Sequence, residues 1–233
     1  MNVLTEIEAR GLQAVRFSFA DQHGVLRGKT LAASEVSHAL EHGVTVTSTL
    51  LLKDTSHRTV YPAFTPGGGV GIPEMQGAAD VMMIPDPATF RVLPWAPETG
   101  WMLCDLQFQD GRPVPFDTRA LLKKALADLA ATGHEFMAGL EVEFHVFRIT
   151  DPHLAPADAG QPGEPPAVEL LTTGYQYLTE HRFDRSTRSW SSCARTSPRS
   201  ACRCAPSRSS SVRASSSSRS ACCPASRLRT PWC

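Results

Sequence analysis

Two glutamates and a histidine at alternate positions, Glu141-x-Glu143-x-His145, are the residues whose types and spacing could do chemistry. They lie in FMAGLEVEFHVFRI, residues 136–149, which has strict period-2 patterning. As a strand, it would turn Phe136, Ala138, Leu140, Val142, Phe144 and Val146 one way. Met137, Gly139, Glu141, Glu143, His145 and Phe147 would face the other way. Positions i and i+2 of a strand lie roughly 6.5–7 Å apart on one face. Two carboxylates so placed repel each other unless one is protonated or a cation lies between them. A hard divalent ion such as Mg2+ takes oxygen ligands of this kind. The competing reading is an exposed strand with a solvated polar face, which Glu-x-Glu also fits. Met137 and Phe147 weigh against it, since a wholly solvated face has no use for them.

The elements that must position this strand can be read backwards along the chain. DTRALLKKALADLAATG, residues 117–133, predicts a helix with Asp117 as N-cap, leucines at 121, 122, 126 and 129, and Gly133 as its stop. ADVMMIPD, FRVLPW and WMLCDLQF predict three short strands separated by Pro and Gly. VRFSFADQHGVLRGKT, residues 15–30, predicts a hairpin around Gln-His-Gly, with Gly24 supplying positive φ. Ser34 is expected to cap a helix over SEVSHALEHG that stops at Gly43, and VTVTSTLLL, residues 44–52, reads as a strand. Residues 53–77 form a polar, glycine-rich stretch containing TPGGGVG. No Gly-Lys-Ser/Thr follows that triplet, so a flexible loop is expected rather than a phosphate cradle. The fold class expected is α+β, with a small mixed or antiparallel sheet domain over 1–112 and a second domain from 113.

Composition divides the chain once more. All 23 acidic residues and 13 of the 23 basic ones lie in residues 1–184, a net charge of −10. Residues 185–233 carry 10 arginines and no acid, net +10, with six of the 7 cysteines. Cys104 alone in the body gives no disulfide framework and suggests a reducing, cytoplasmic setting. MNVLTEIEAR has no basic stretch followed by an apolar run, so no signal peptide is expected. No apolar run approaches the roughly 20 residues that cross a bilayer, so no membrane partner is expected.

Five segments together resemble the glutamine synthetase family. GLEVEFHVF resembles the strand that opens its catalytic domain with Gly-x-Glu-x-Glu-Phe, and VRFSFADQHGVLRGK resembles the first hairpin of its N-terminal β-grasp domain. DVMMIPDPATFRVLPW, PFDTRALLKKAL and GYQYLTEHRFD match further family stretches in order and spacing. The resemblance covers nearly all of residues 1–184. It implies an N-terminal β-grasp domain (1–112) and an incomplete α/β catalytic domain (113–184). The implied reaction joins ammonia or another amine to the glutamate γ-carboxylate at the expense of ATP, a step of glutamine biosynthesis and nitrogen metabolism. By motif position Glu141 would serve the Mg2+ (or Mn2+) ion that bridges the ATP phosphates, and Glu143 the ion nearer the glutamate. Family sites form between subunits of a homo-oligomer, and Asp54 in LLLKDTSHRT is the candidate for the catalytic aspartate that binds ammonium in a neighbour's site. Its surroundings differ from the family's Asp-Gly-Ser-Ser, which leaves room for a larger amine. His145 has no implied role beyond structure, and His153 falls in a variable loop.

Residues 185–233 have too little apolar mass to offset ordering entropy, so a disordered tail is expected. Three readings of it compete. Its arginines could bind nucleic acid or a protein, making the chain a non-catalytic interaction protein. Its cysteines could hold zinc, although the two Cys-x2–4-Cys pairs such a site wants are missing. The third reading is an out-of-frame translation of a GC-rich gene. Read one base out of step, permitted codons give a leucine-rich helix followed by a strand with alternating glutamates, where the family needs its next metal ligands. This reading is preferred: nucleic acid is then not expected as a partner, and the polypeptide as written lacks ligase activity. A regulatory pseudo-subunit that joins oligomers of a relative is a further alternative.

Overall fold

The structure is a computed structural model that describes residues 2–77, 79–138, 141–153, 155–160, 162–170, 176–177, 211–212 and 216–221. At 141–146, 176–177, 211–212 and 216–221 the backbone alone is described. The chain forms two compact units, Met1–Glu135 and Phe136–Cys233.

The first unit opens with α1 (Val3–Arg10), capped by the Asn2 side chain, which accepts from the Leu4 N–H at 3.0 Å. Gly11, at φ 62, ends the helix and turns the chain into β1 (Ala14–Ala20). β1 pairs antiparallel with β2 (Leu26–Ala32), and Gly24 takes the positive φ, 77, that the sequence predicts for the turn. A 3-10 turn leads into α2 (Val36–His42), and β3 (Val44–Thr47) follows Gly43. β4 (Asp80–Pro85), β5 (Arg91–Leu93) and β6 (Ala96–Gln107) complete a six-stranded sheet of order β2-β1-β6-β4-β3, with β5 paired to β6. β1 and β6 run parallel and the other pairings are antiparallel.

One face of this sheet is the core. Val15, Phe17 and Phe19 alternate inward on β1 and meet Met83, Met102 and Leu106 from β4 and β6. Val3 and Ile7 of α1 and Val36 and Ala39 of α2 close it, each at helical spacing. Gly100 has no side chain because a Cβ there would lie 2.7 Å from the Phe90 ring.

α3 (Thr118–Ala131) follows the sheet. Its N-cap Asp117 is buried and accepts three backbone N–H groups, from Arg119 (3.0 Å) and Ala120 (3.2 Å) of its own first turn and from Leu106 of β6 (2.7 Å). Arg119 then bridges Asp86, the residue after β4, and Asp105 of β6, which fastens the helix to the sheet. This anchoring places α3 in the compact unit Met1–Glu135. The helix itself buries no side chain, and Leu121 and Leu122 are exposed.

The second unit contains β7 (Glu141–Asp151), β8 (Ala167–Leu170), β9 (Gln176–Tyr177), β10 (Ser211–Val212) and β11 (Ser216–Ala221) in the order β8-β7-β11-β10-β9. Within the segment expected to be disordered, residues 211–212 and 216–221 are thus extended and paired. Backbone hydrogen bonding asks nothing of the side chains, so a Ser-rich stretch can pair within a sheet. The remainder of 185–233 lies outside the described residues.

Three other expectations change. Ser34 does not cap α2: a 3-10 turn over Ala33–Glu35 delays the helix, and the Ser34 hydroxyl donates to Glu35. The strand expected over residues 44–52 ends at Thr47. A 3-10 turn, Ser48–Leu52, follows and turns Leu51 and Leu52 into the core. The glycine-rich loop is packed rather than loose. The Gly69 N–H donates to Pro62 O at 2.8 Å, Met75 is fully buried, and a Cβ on Gly69 would lie 2.6 Å from the Met75 backbone.

Candidate functional site

Glu141, Glu143 and His145 occupy alternate positions of β7, as the period-2 pattern predicts. The strand pairs with two neighbours in succession. Glu141, Glu143 and His145 register with Ala221, Arg219 and Ser217 of β11, while Phe147 and Ile149 register with Leu170 and Val168 of β8. Among the described residues, the glutamate half of β7 is paired with β11 and the half that follows with β8. Carboxylate oxygens at one strand's alternate positions are a donor set that suits Mg2+ or Mn2+. Among the described residues, no group of three or more His, Cys, Asp and Glu is placed to hold a metal, and the side chains of 141–146 are not among those described.

Asp54 belongs to the first unit, and Glu141 and Glu143 to the second. Asp54 closes a tight loop between the bridge partners Lys53 and Thr59. Its Oδ1 accepts the backbone N–H of Ser56 and of Arg58, both at 2.9 Å, while its own N–H donates to Arg58 O at 2.9 Å. The turn forces His57 to φ 64, a left-handed conformation uncommon for a non-glycine residue.

This loop is docked on the β1–β2 turn. Lys53 O accepts from Gln22 Nε2 at 2.9 Å and lies 3.1 Å from His23 Nε2. Arg27 Nη1 lies 2.9 Å from His57 Nδ1. Because a guanidinium can only donate, His57 Nδ1 must be the unprotonated acceptor. Behind it, Asp21 is fully buried and accepts Arg27 Nε at 2.6 Å and the N–H groups of His23 and Val25 at 2.9 Å each. Burial pushes the Asp21 carboxyl up, but the Arg27 hydrogen bond and the two backbone donors outweigh it, so it titrates below the usual range.

Sequence reasoning missed Asp21 and Arg27 as organising residues, and it found Asp117 as an N-cap but not its bond to the Leu106 N–H of β6. Asp21 carried a signal, since an Asp opening the Asp-Gln-His-Gly turn can bond its own backbone onward. Arg27 carried none, because its partner His57 is 30 residues away. Cys104 is buried and its thiol is pushed up to about 12, chiefly by that burial, so it is no nucleophile.

No family model matches the chain. A γ-glutamylanilide synthase from an Acinetobacter species is 41% identical over 189 residues, which is 78% of this chain and 38% of that enzyme. A glutamate–methylamine ligase from Methyloversatilis universalis is 33% identical over 111 residues, 48% of this chain and 25% of that one. A glutamine synthetase from Mycobacterium tuberculosis is 28% identical over 156 residues, 63% of this chain and 30% of that one. The chain therefore spans well under half the length of these relatives. Among solved structures, ligand-free GmaS superposes with a TM-score of 0.56 at 23% identity, over 83% of this chain and 39% of that one. A GmaS complex with ADP gives 0.54 at 22% identity. At that identity the structures establish the fold, and a mixed α/β architecture dominated by sheet is what they share with this chain. Over the residues that match, the chain belongs to the glutamine synthetase family.

Proposed function

We propose that this sequence derives from an ATP-dependent ligase that joins an amine to the γ-carboxylate of glutamate. The observation that carries this reading is the 41% identity, over 189 residues, to an enzyme named for γ-glutamylanilide synthesis. Relatives named for methylamine, ethanolamide and isopropylamine favour an organic amine over ammonia as acceptor. In this reading residues 1–112 form the family's β-grasp domain and residues 113–184 begin its catalytic domain, in a cytoplasmic homo-oligomer.

Glu141 and Glu143 would hold the divalent ions, which when bound offset charge on the ATP phosphates. Asp54 would act at the amine end of a neighbour's site. Its Oδ1 is already committed to the loop, so its first task is to hold the 53–59 turn in shape. The Asp21–Arg27–His57 chain fixes that turn against the β1–β2 hairpin.

The 233-residue polypeptide on its own has no ligase activity in this reading. Residues 185–233 contain no Asp or Glu, so they supply no carboxylate to complete a metal site begun by Glu141 and Glu143. Two carboxylates alone leave Mg2+ most of its waters. The test is γ-glutamylamide formation from glutamate, ATP and an amine series, with products read by mass. The 233-residue polypeptide is compared with a version whose codons after Asp184 are shifted by one base. Product from the shifted version alone is expected. Product from the unshifted polypeptide would overturn its inactivity, and no product from either with any acceptor would overturn the ligase reading.

A further inference from the structure

On the sheet of the first unit, four strands bring Arg91, Trp101, Arg16 and Thr30 into one cross-strand row. Arg91 registers with Trp101, Trp101 with Arg16, and Arg16 with Thr30. Paired positions on neighbouring strands share a face. The next row, Val92, Gly100, Val15 and Leu31, belongs to the core face, where Val15 is fully buried. The arginine row therefore lies on the outer face. Farther along that face Ser18 and Leu103 are buried, and Asp105 is held by Arg119, so α3 covers that end. At the other end Arg16 and Thr30 are exposed and Arg91 and Trp101 half-buried.

The row is chemically biased. Neither Arg16 nor Arg91 has a side-chain hydrogen bond or ion pair among the described residues. No carboxylate interrupts the row, and the acids of β6, Glu98 and Asp105, lie three and four residues from Trp101, Asp105 being held by Arg119. Trp101 is fixed between the arginines, because its Nε1–H donates to Ser18 Oγ at 3.1 Å and ties the indole to the sheet. With strands about 4.8 Å apart, the two arginine positions flank the indole about 10 Å from each other. A fixed aromatic face between two unpaired guanidiniums fits a ligand that is planar, aromatic and anionic.

We propose that the Arg91–Trp101–Arg16–Thr30 row is a binding site for a nucleoside phosphate. The base stacks on Trp101 and its phosphate bonds one guanidinium. The other guanidinium donates to acceptors on the base edge. A single nucleotide fits better than a nucleic-acid strand, because residues 1–184 carry a net −10 that repels a polyanion. The row belongs to the first unit and the Glu141–Glu143 strand to the second, and the proposal does not depend on the ligase reading.

The test uses the full chain with EDTA present, so that any metal-dependent nucleotide site is silent. AMP, adenosine and inorganic phosphate are titrated by calorimetry and by the indole N–H resonance of Trp101, assigned with Trp101→Phe. AMP is expected to bind, to move that resonance, and to bind more tightly than adenosine or phosphate. Arg16→Gln, at an exposed position, and Arg91→Gln, at a half-buried one, are each expected to weaken AMP at least about tenfold. Three results would overturn the proposal: an unmoved Trp101 resonance, AMP affinity unchanged in both arginine variants, or phosphate binding as tightly as AMP.

Discussion

Replacing Asp117 with alanine should separate α3 from the sheet more than any surface change on that helix. The carboxylate accepts two N–H groups of the first helical turn and the Leu106 N–H of β6, and it is only 1% exposed. Loss of an N-cap costs about 0.5–2 kcal/mol. A buried N–H left without a partner, here that of Leu106, costs about 1–3 kcal/mol. The two overlap in part, so a loss of about 2–4 kcal/mol is expected. Stability of a whole domain is typically about 5–15 kcal/mol, so this is a large fraction of it. Urea unfolding gives the loss directly, and hydrogen exchange at the Leu106 amide reports the orphaned donor. Asp117→Asn keeps one carbonyl oxygen and should lose less. A loss under about 0.5 kcal/mol in the alanine variant, the range of an ordinary surface change, would refute the argument.

Other outcomes follow from the same structure. Asp21 titrates below its usual range in the fold, so its stabilisation is complete above about pH 4 and is lost as pH falls through the lowered value. Acid unfolding of Arg27→Met should accordingly begin at higher pH than that of the parent chain, read by circular dichroism. Gly69→Ala should destabilise the 53–77 loop region, because a side chain at φ 68 would also press on the Met75 backbone, and limited proteolysis should cut there first. Cys104, buried with its thiol pushed up to about 12, should resist iodoacetamide in the native chain at pH 8 and react after unfolding, read by site-specific mass spectrometry.

What could be read from the sequence was local. Gly24 in the hairpin and Asp117 and Gly133 at the ends of α3 act within a few residues of themselves, so their types alone signal the structure. β-Branched residues at 44–47 do form a strand, but Leu51 and Leu52 are drawn to the core by packing that no local pattern encodes. The glycine-rich loop looked loose because glycine permits either flexibility or close backbone approach, and only the Met75 contact decides between them. For the candidate site, the alternate spacing of Glu141 and Glu143 was legible as a strand. The Asp54 loop was not, since its form depends on Arg27 and the β1–β2 turn far away in sequence. The Arg91–Trp101–Arg16 row was equally hidden, because it depends on a parallel pairing between β1 and β6, about 80 residues apart.

The most direct test of the account is Mn2+ binding to the chain, followed by electron paramagnetic resonance, in the parent and in Glu141→Gln and Glu143→Gln. Weak binding by the parent, lost in both variants while unfolding stays unchanged, is the expected result. Equal binding by all three would contradict the assignment of the β7 glutamates as the metal-holding pair.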